Sequence, residues 1–140
     1  MADTSFTGLH HVAINVRDLE KSVQWYGEVL GFAPLFPYDT DAFNRRIMRH
    51  PSGVVLGLTR HNSDDGDAEF NERRTGLDHI AFGVASREEL EAWLGRLDAA
   101  GVTHSGISET PTTGSVLIAF RDPDNIQLEL YVAQGATATS

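Results

Sequence analysis

An internal repeat constrains the fold of this chain more than any other feature. The segment GLHHVAINV at residues 8–16 returns as GLDHIAFGV at residues 76–84. Aligning the two segments pairs His11 with His79 and matches the apolar residues around them. A repeat of this kind predicts two similar structural units built on one plan.

Each copy of the repeat is followed by a segment with the pattern of an amphipathic helix. Residues 18–30 and 87–100 place apolar side chains three and four positions apart, which is the spacing of one helix face. Each run is followed by a glycine, Gly31 or Gly101, suited to the left-handed conformation found after many helices. The pattern therefore predicts one helix after the first strand of each unit.

Further strands follow each helix, and the last of them begins after a proline-led turn in both units. PSGVVLGL at residues 51–58 matches PDNIQLEL at residues 123–130, so that Gly57 stands where Glu129 stands. Each unit is thus predicted to contain a strand, a helix and three strands. The predicted strands are 9–16, one within 32–44, 45–50 and 54–60, and then 77–84, 102–105, 115–121 and 126–132.

The predicted fold class is α+β, with two βαβββ modules and a polar connection. We place the first module at residues 1–62, a polar linker at 63–75, the second module at 76–133 and a flexible tail at 134–140. A module of about 60 residues has little core of its own. We therefore expect the two modules to pack together, within one chain or across a dimer.

Charge and composition exclude several classes of function. The 140 residues include 20 acidic and 11 basic side chains, and the net charge of −9 disfavours nucleic acid and anionic membranes as partners. No cysteine is present, which excludes disulfides and thiolate chemistry. We find no secretion signal and no apolar run of membrane length, and we expect a cytoplasmic protein.

Strand periodicity turns three potential metal ligands away from the helices. In the first strand the even-numbered apolar residues would face the helix, which places His11 on the opposite face. The same alternation places His79 and Glu129 on the non-helix face of their own strands. Two imidazoles and one carboxylate are a common ligand set for a divalent metal that keeps positions open for water or substrate.

We therefore predict a metal site formed by His11, His79 and Glu129. Iron(II), manganese, zinc, nickel and cobalt can all use such a set, and iron(II) is our first expectation. The alternative for any one of these histidines is a structural role in a hydrogen bond. Recurrence of a histidine at one repeat position favours the metal site.

The chain resembles the vicinal oxygen chelate superfamily in three motifs: HVAINVRDLEKSVQWYGEVLGF, GLDHIAFGV and FRDPDNIQLELYV. That superfamily includes glyoxalase I, extradiol dioxygenases, fosfomycin-resistance enzymes and bleomycin-binding proteins. The resemblance implies paired βαβββ modules that form a cupped, barrel-like mixed sheet around a metal, with the helices outside, commonly in a homodimer. It also supports the three ligands, and it implies a small-molecule substrate whose adjacent oxygens bind the metal.

Single positions argue against individual reactions of that superfamily. Glyoxalase I uses a fourth ligand, a glutamate, at the place of Gly57, and methylmalonyl-CoA epimerases also ligate from there. Extradiol dioxygenases match the three ligands but carry a tyrosine at the place of Ala119. Fosfomycin enzymes have a threonine at the place of Ala13, and bleomycin-binding proteins typically lack the ligands. The reaction therefore stays open.

The function we predict is metal-dependent, oxygenase-like chemistry on a small molecule that is bulky or partly aromatic. The face that carries the ligands is otherwise small and uncharged, which leaves room for such a substrate. The candidate substrate-binding residues are Asn15, Thr59, Gln127 and Arg121. Two alternatives remain: a non-catalytic resistance protein that binds a small molecule such as an antibiotic, and a glyoxalase-like lyase or isomerase.

The catalytic acid or base is unknown at this stage. His50, His61 and His104 could serve, and each is equally explained as a solvated loop histidine.

Overall fold

The chain divides into two units, Met1–Ala68 and Glu69–Ser140. A computed structural model describes residues 4–63 and 68–133. Each unit contains a mixed sheet of four strands, and the order of strand, helix and three strands is the same in both. The predicted α+β class and the two βαβββ units are therefore confirmed. Each sheet is open, and neither closes into a barrel.

The first unit carries its strands in the spatial order β1-β4-β3-β2. β1 and β4 are parallel, and the other pairs are antiparallel. The elements are β1 at Val12–Asn15, α1 at Leu19–Trp25, β2 at Ala33–Asp39, β3 at Phe43–Arg49 and β4 at Val55–His61.

The second unit repeats this topology in the order β5-β8-β7-β6, again with one parallel pair, β5 with β8. The elements are β5 at His79–Gly83, α2 at Arg87–Ala99, β6 at Ser108–Glu109, β7 at Val116–Arg121 and β8 at Gln127–Val132.

Capping residues fix where the helices begin and end. The Asp18 side chain accepts from the N–H of Lys21, and the Ser86 side chain plays the same role for α2. The predicted first helix continues past α1 as a π-helical segment, Tyr26–Leu30, and stops at Gly31, where φ is +87°. None of the helices in the described residues is long and apolar enough to cross a membrane.

The core of each unit lies between its helix and one face of its sheet. The buried apolar residues alternate along the strands, as the period of two requires. The buried apolar residues of the sheets and helices include Ile14, Val16, Tyr26, Met48, Leu56 and Leu58 in the first unit, and Leu90, Leu97, Ile118, Phe120, Leu128 and Leu130 in the second. The residues that alternate with them along each strand lie on the face that points away from the helix.

The predicted strand at 102–105 is wrong in position. Only an isolated bridge between His104 and Phe120 forms there, and the short strand lies at β6. The N–H of Ala119 donates to the hydroxyl of Ser105 instead of to a backbone carbonyl, at 2.9 Å. A side chain thus takes the place of a ladder bond and interrupts the strand.

Residues that precede the second sheet are attached to its last turn. The N–H of Phe70 donates to the carbonyl of Asp124, and the Asn125 side chain donates to the carbonyl of Phe70, both at 3.0 Å. The later part of the segment predicted as a linker is therefore bonded to the second unit. Residues 64–67 of that segment and the predicted tail at 134–140 lie outside the described residues.

Candidate metal and substrate site

Paired strands align side chains in rows across the face of each sheet that points away from the helix. In the first sheet one row is Asn15, Thr59, Arg45 and Tyr38, and the next is Ala13, Gly57, Ile47 and Phe36. In the second sheet one row is His79, Gln127 and Arg121, and the next is Ala81, Glu129 and Ala119. His79 and Glu129 are therefore diagonal neighbours on adjacent strands.

The ring of His79 is oriented by the residue before it. Its Nδ1 lies 2.6 Å from Oδ1 of Asp78. An ionised carboxylate only accepts hydrogen bonds, so Nδ1 carries a proton, and in the neutral ring Nε2 presents its lone pair. A carboxylate behind the ring in this way is the usual partner of a metal-binding histidine.

Nε2 of His79 points to the carboxylate of Glu129, with 3.5 Å between Nε2 and Oε2. That distance is too long for a good N–H···O hydrogen bond. Two donors each about 2.1 Å from one ion, at an angle of about 90° to 110°, stand about 3.0 to 3.5 Å apart. The pair therefore has the chemistry and the spacing of two ligands of one divalent metal.

Glu129 is itself held in place. Its other oxygen, Oε1, accepts from Nε2 of Gln127 at 3.1 Å, and its side chain is only 13% exposed. The amide fixes one oxygen, which leaves Oε2 directed to His79. Gln127, predicted to bind substrate, thus contacts a predicted ligand.

His11 lies one residue before β1 in the first unit. Its Nδ1 is 2.8 Å from Nδ1 of His10. His10 occupies the repeat position of Asp78, so the preceding residue contacts the same ring nitrogen in both units. One of the two nitrogens must donate and the other accept at this distance.

The described parts of the chain contain no group of three or more His, Asp or Glu side chains placed to hold a metal. Two of the three predicted ligands, His79 and Glu129, are brought together by the second sheet. The third, His11, belongs to the other unit.

Two of the predicted substrate-binding residues are engaged within their own unit. Thr59 is 1% exposed, and its hydroxyl accepts from Nε of Arg45 at 2.8 Å. Arg121 donates from Nη1 and Nη2 to the two oxygens of Glu72, both at 3.1 Å. Asn15, by contrast, is exposed on the face of the first sheet.

The expectation of an uncharged face is wrong, because Arg45 lies on it. Its guanidinium carbon is 4.4 Å from the ring centre of Phe43 and 5.8 Å from that of Tyr38. Alternation along FNRRIMR would have placed Arg45 there, but only the register with β4 identifies Thr59 as its partner.

The three histidines considered as acid or base differ in position. Nε2 of His104 binds Asp98 of α2 at 2.6 Å, which places this ring on the helix side of the second sheet. His50 binds Ser52 within the turn before β4. His61 alone among the three alternates with Thr59 on the face of the first sheet.

Three side chains of the second unit, one carboxyl, one guanidinium and one phenol, have shifted pKa values. A hydrogen bond from Arg121 lowers the pKa of Glu72 to about 2, and the same contact raises the pKa of the Arg121 guanidinium. Hydrogen bonds with Ser115 and then Thr113 lower the pKa of Tyr131, which follows Glu129 on the same face of β8. Both contacts lie within the second unit.

Comparison with known proteins shows several relatives that cover most of this chain. A solved glyoxalase/bleomycin resistance protein/dioxygenase domain from Frankia sp. EAN1pec is 35% identical with a TM-score of 0.84, covering 93% of this chain and 100% of that one. Metallothiol transferase FosB of Shouchella clausii is 30% identical over 89% of this chain and 79% of its own length. Catechol-2,3-dioxygenase of Bacillus subtilis is 30% identical over 89% of this chain and 41% of its own length.

The sequence model of one family matches residues 8–130, which is most of the chain and includes both copies of the repeat. Together with the two βαβββ units, this match shows that the chain belongs to the Glyoxalase/Bleomycin resistance protein/Dioxygenase superfamily, the vicinal oxygen chelate superfamily.

Proposed function

We propose that this protein is a metal-dependent enzyme whose divalent metal is held by His11, His79 and Glu129. The substrate is a small molecule, bulky or aromatic, whose adjacent oxygens take the remaining metal positions. The reaction is oxygenase-like, and iron(II) is the first metal to test, before manganese, zinc and nickel.

One observation carries this proposal: the alignment of Asp78, His79 and Glu129. Asp78 holds a proton on Nδ1, so that Nε2 carries the lone pair in the neutral ring, while Gln127 holds one oxygen of Glu129 and leaves the other directed to the ring. A hydrogen-bonded structural histidine would not need its second nitrogen aimed at a carboxylate beyond hydrogen-bond distance. The arrangement is what two preorganised metal ligands require.

A bound metal would supply Lewis acidity and, in the case of iron, a position for dioxygen beside the substrate. The relatives named above include a transferase and a dioxygenase, so family membership leaves the reaction open. Gly57 provides no fourth carboxylate, which favours a three-ligand site over the four-ligand site of glyoxalase I. Asn15, exposed on the first sheet, is the predicted residue free to bind the substrate.

Elemental analysis of protein purified without chelators or metal-affinity steps tests the ligand set. We expect about one metal per chain in the wild type and a loss in each of His11→Ala, His79→Ala and Glu129→Gln. His50→Ala, which removes a turn histidine, serves as the matched control and should keep the metal. If no sample holds a metal even after reconstitution, the enzyme proposal is wrong.

Oxygen consumption with aromatic diols then tests the reaction. Uptake that depends on iron and on His79 supports an oxygenase. Turnover of other substrates with zinc, nickel or manganese would instead indicate a lyase or isomerase.

A non-catalytic binding protein is the second candidate, because the proposal uses His79 and Glu129 as ligands and assigns no catalytic acid or base. Ligand binding that is unaffected by chelation, together with no turnover under any metal, would favour this function.

A further inference from the structure

We propose that Arg45 is the binding residue for the anionic group of an aromatic acid, so that the substrate carries a carboxylate on a planar ring. Because that ring would belong to the metal-bound substrate, the role of Arg45 in catalysis rests on the proposed function. Its affinity for an anion is a property of the first sheet alone.

The guanidinium of Arg45 is held in one orientation. Nε donates to the buried hydroxyl of Thr59 at 2.8 Å, and the group lies over the ring of Phe43. Phe43 is in turn stacked on Tyr38, with ring centres 5.7 Å apart and planes 14° from parallel. With Nε occupied, Nη1 and Nη2 remain as the fork that binds a carboxylate through two parallel hydrogen bonds.

Among the described residues, Arg45 also has no compensating charge. No carboxylate in residues 4–63 and 68–133 forms an ion pair with it, although the chain carries 20 acidic side chains against 11 basic ones. Its neighbour Arg46, on the opposite face of β3, binds Asp39 at 2.7 Å, and Arg121 binds Glu72. A half-buried cation without an anion in so acidic a protein is complementary to an anionic ligand.

Gly57 makes room for this arginine. A Cβ at position 57 would lie 3.3 Å from Cβ of Ala13 and 3.6 Å from Cδ of Arg45, so the arginine stem lies against the glycine. At the equivalent position the second sheet carries Glu129. At this position the first sheet thus has no carboxylate and leaves space for the Arg45 cation. Such a site suits a negatively charged substrate.

The surroundings of Arg45 favour a planar ring. Phe36 and Tyr38, about half exposed at 50% and 51%, lie on the same face in neighbouring rows. Aromatic edges and faces contact flat ligands well. Asn15, in the row of Arg45, lies four residues along the strand from His11, a span of about 13 Å. The Arg45 side chain extends over Gly57, which lies one row nearer to His11. The remaining distance between the guanidinium and His11 suits an aromatic acid with one ring.

Isothermal titration with benzoate and its neutral isostere benzamide tests the anion site. We expect benzoate to bind and benzamide to bind at least about tenfold more weakly, since a charge-assisted hydrogen-bonded pair is lost. Arg45→Gln should weaken benzoate binding by about tenfold or more and leave benzamide unchanged. Arg46→Gln removes the same charge from the adjacent residue and should leave both affinities unchanged.

Two further variants distinguish a loss of the anion site from a loss of the fold. Arg45→Lys keeps the charge without the fork and should bind benzoate with an intermediate affinity. Thr59→Val keeps Arg45 and removes the acceptor of Nε, and it should weaken benzoate without affecting benzamide. Equal benzoate affinity in wild type and Arg45→Gln, or an equal loss in Arg46→Gln, would overturn the proposal, as would the absence of benzoate binding to the wild type.

Repeating the titration after EDTA treatment and in His79→Ala separates the two proposals. Benzoate binding that survives both treatments but not Arg45→Gln supports the anion site whether or not the metal site exists. Benzoate binding that is lost with the metal and insensitive to Arg45→Gln assigns the carboxylate to the metal, which overturns the role of Arg45 and leaves the proposed function standing.

Discussion

Asp78 illustrates how one residue can decide the chemistry of its neighbour. By binding Nδ1 of His79 at 2.6 Å, it selects the tautomer whose Nε2 can donate to a metal. His10 contacts His11 at the same ring nitrogen, but through an imidazole instead of a carboxylate. The two histidines of the repeat thus have the same ring atom engaged by different partner groups.

Replacing Asp78 with Asn should weaken metal binding without abolishing it. The amide oxygen can still accept from Nδ1, but the negative charge behind the ring is lost. We expect a decrease in affinity of about 10- to 100-fold, measured by competition with a chromophoric chelator. Asp41→Asn, which removes an exposed carboxylate from the first unit, is the control. An unchanged affinity in Asp78→Asn would show that this contact does not orient a ligand.

Residue identity and strand parity predict which face a side chain occupies, but not what it touches. Alternation placed His79 and Glu129 on one face because the period of two is a local property. The contacts of Asp78, and the burial of Thr59 under Arg45, depend on rotamers and on the register between strands, which no single segment encodes.

At the scale of elements, the repeat predicted the order of strands and helices because both copies carry the same hydrophobic period. The residues at which strands and helices begin and end were less predictable. The first strand was expected over 9–16 but is limited to β1, whose partner β4 begins at Val55. The first helix changes to a π-helical segment at Tyr26, next to Gly27, where a Cβ would lie 3.3 Å from the carbonyl of Phe32. The first limit is set by a strand distant in sequence, and the second by a local contact that depends on the backbone conformation after the helix.

The segment before β5 is attached to β7 by an ion pair whose effect on stability depends on pH. The Arg121 contact lowers the pKa of Glu72 from an ordinary 4.5 to about 2. The unfolded chain therefore binds a proton at Glu72 before the folded chain does, so this contribution is complete above pH 4.5 and is lost as the pH falls towards 2.

Glu72→Gln should accordingly lose stability at neutral pH and show a smaller further loss on acidification than the wild type. Urea unfolding followed at a series of pH values between neutrality and acid measures this difference. Glu91→Gln, which breaks an exposed pair with Arg87 on α2, is the control and should keep the pH dependence of the wild type. If the free energy of unfolding falls with pH equally in Glu72→Gln and wild type, the Glu72–Arg121 contact is not the source of this pH dependence.

At the scale of the whole molecule, the proposed metal site raises the question of which chain would supply His11. We predict that the ligands of one site come from two chains of a homodimer. His11→Ala and His79→Ala should each lack metal, whereas dimers formed from both should regain one site. A random mixture would then hold roughly a quarter of a metal per chain. No recovery in the mixture would indicate that each site is formed within one chain.

The lead-in to β1 provides a second test of the dimer. Phe6 is 95% exposed and Leu9 is 89% exposed, an unusual position for large apolar side chains unless another surface covers them. We expect sedimentation analysis to show a dimer for the wild type and a shift towards monomer for the double variant Phe6→Ser, Leu9→Ser. The circular dichroism spectrum should not change, because neither residue contributes to a core. A monomeric wild type would refute the homodimer.

Glu129 and Gly57 occupy the same position in the two copies of the repeat, and this difference has an evolutionary consequence. Two similar halves that keep the same rows but fill them differently can diverge separately: in the proposed site the second half supplies His79 and Glu129, and the first half supplies His11 and the groups that meet the ligand. Substitutions around Arg45 could then alter ligand preference without touching Asp78, His79 or Glu129. Duplication of this kind gives a small fold a separate region in which new specificity can arise.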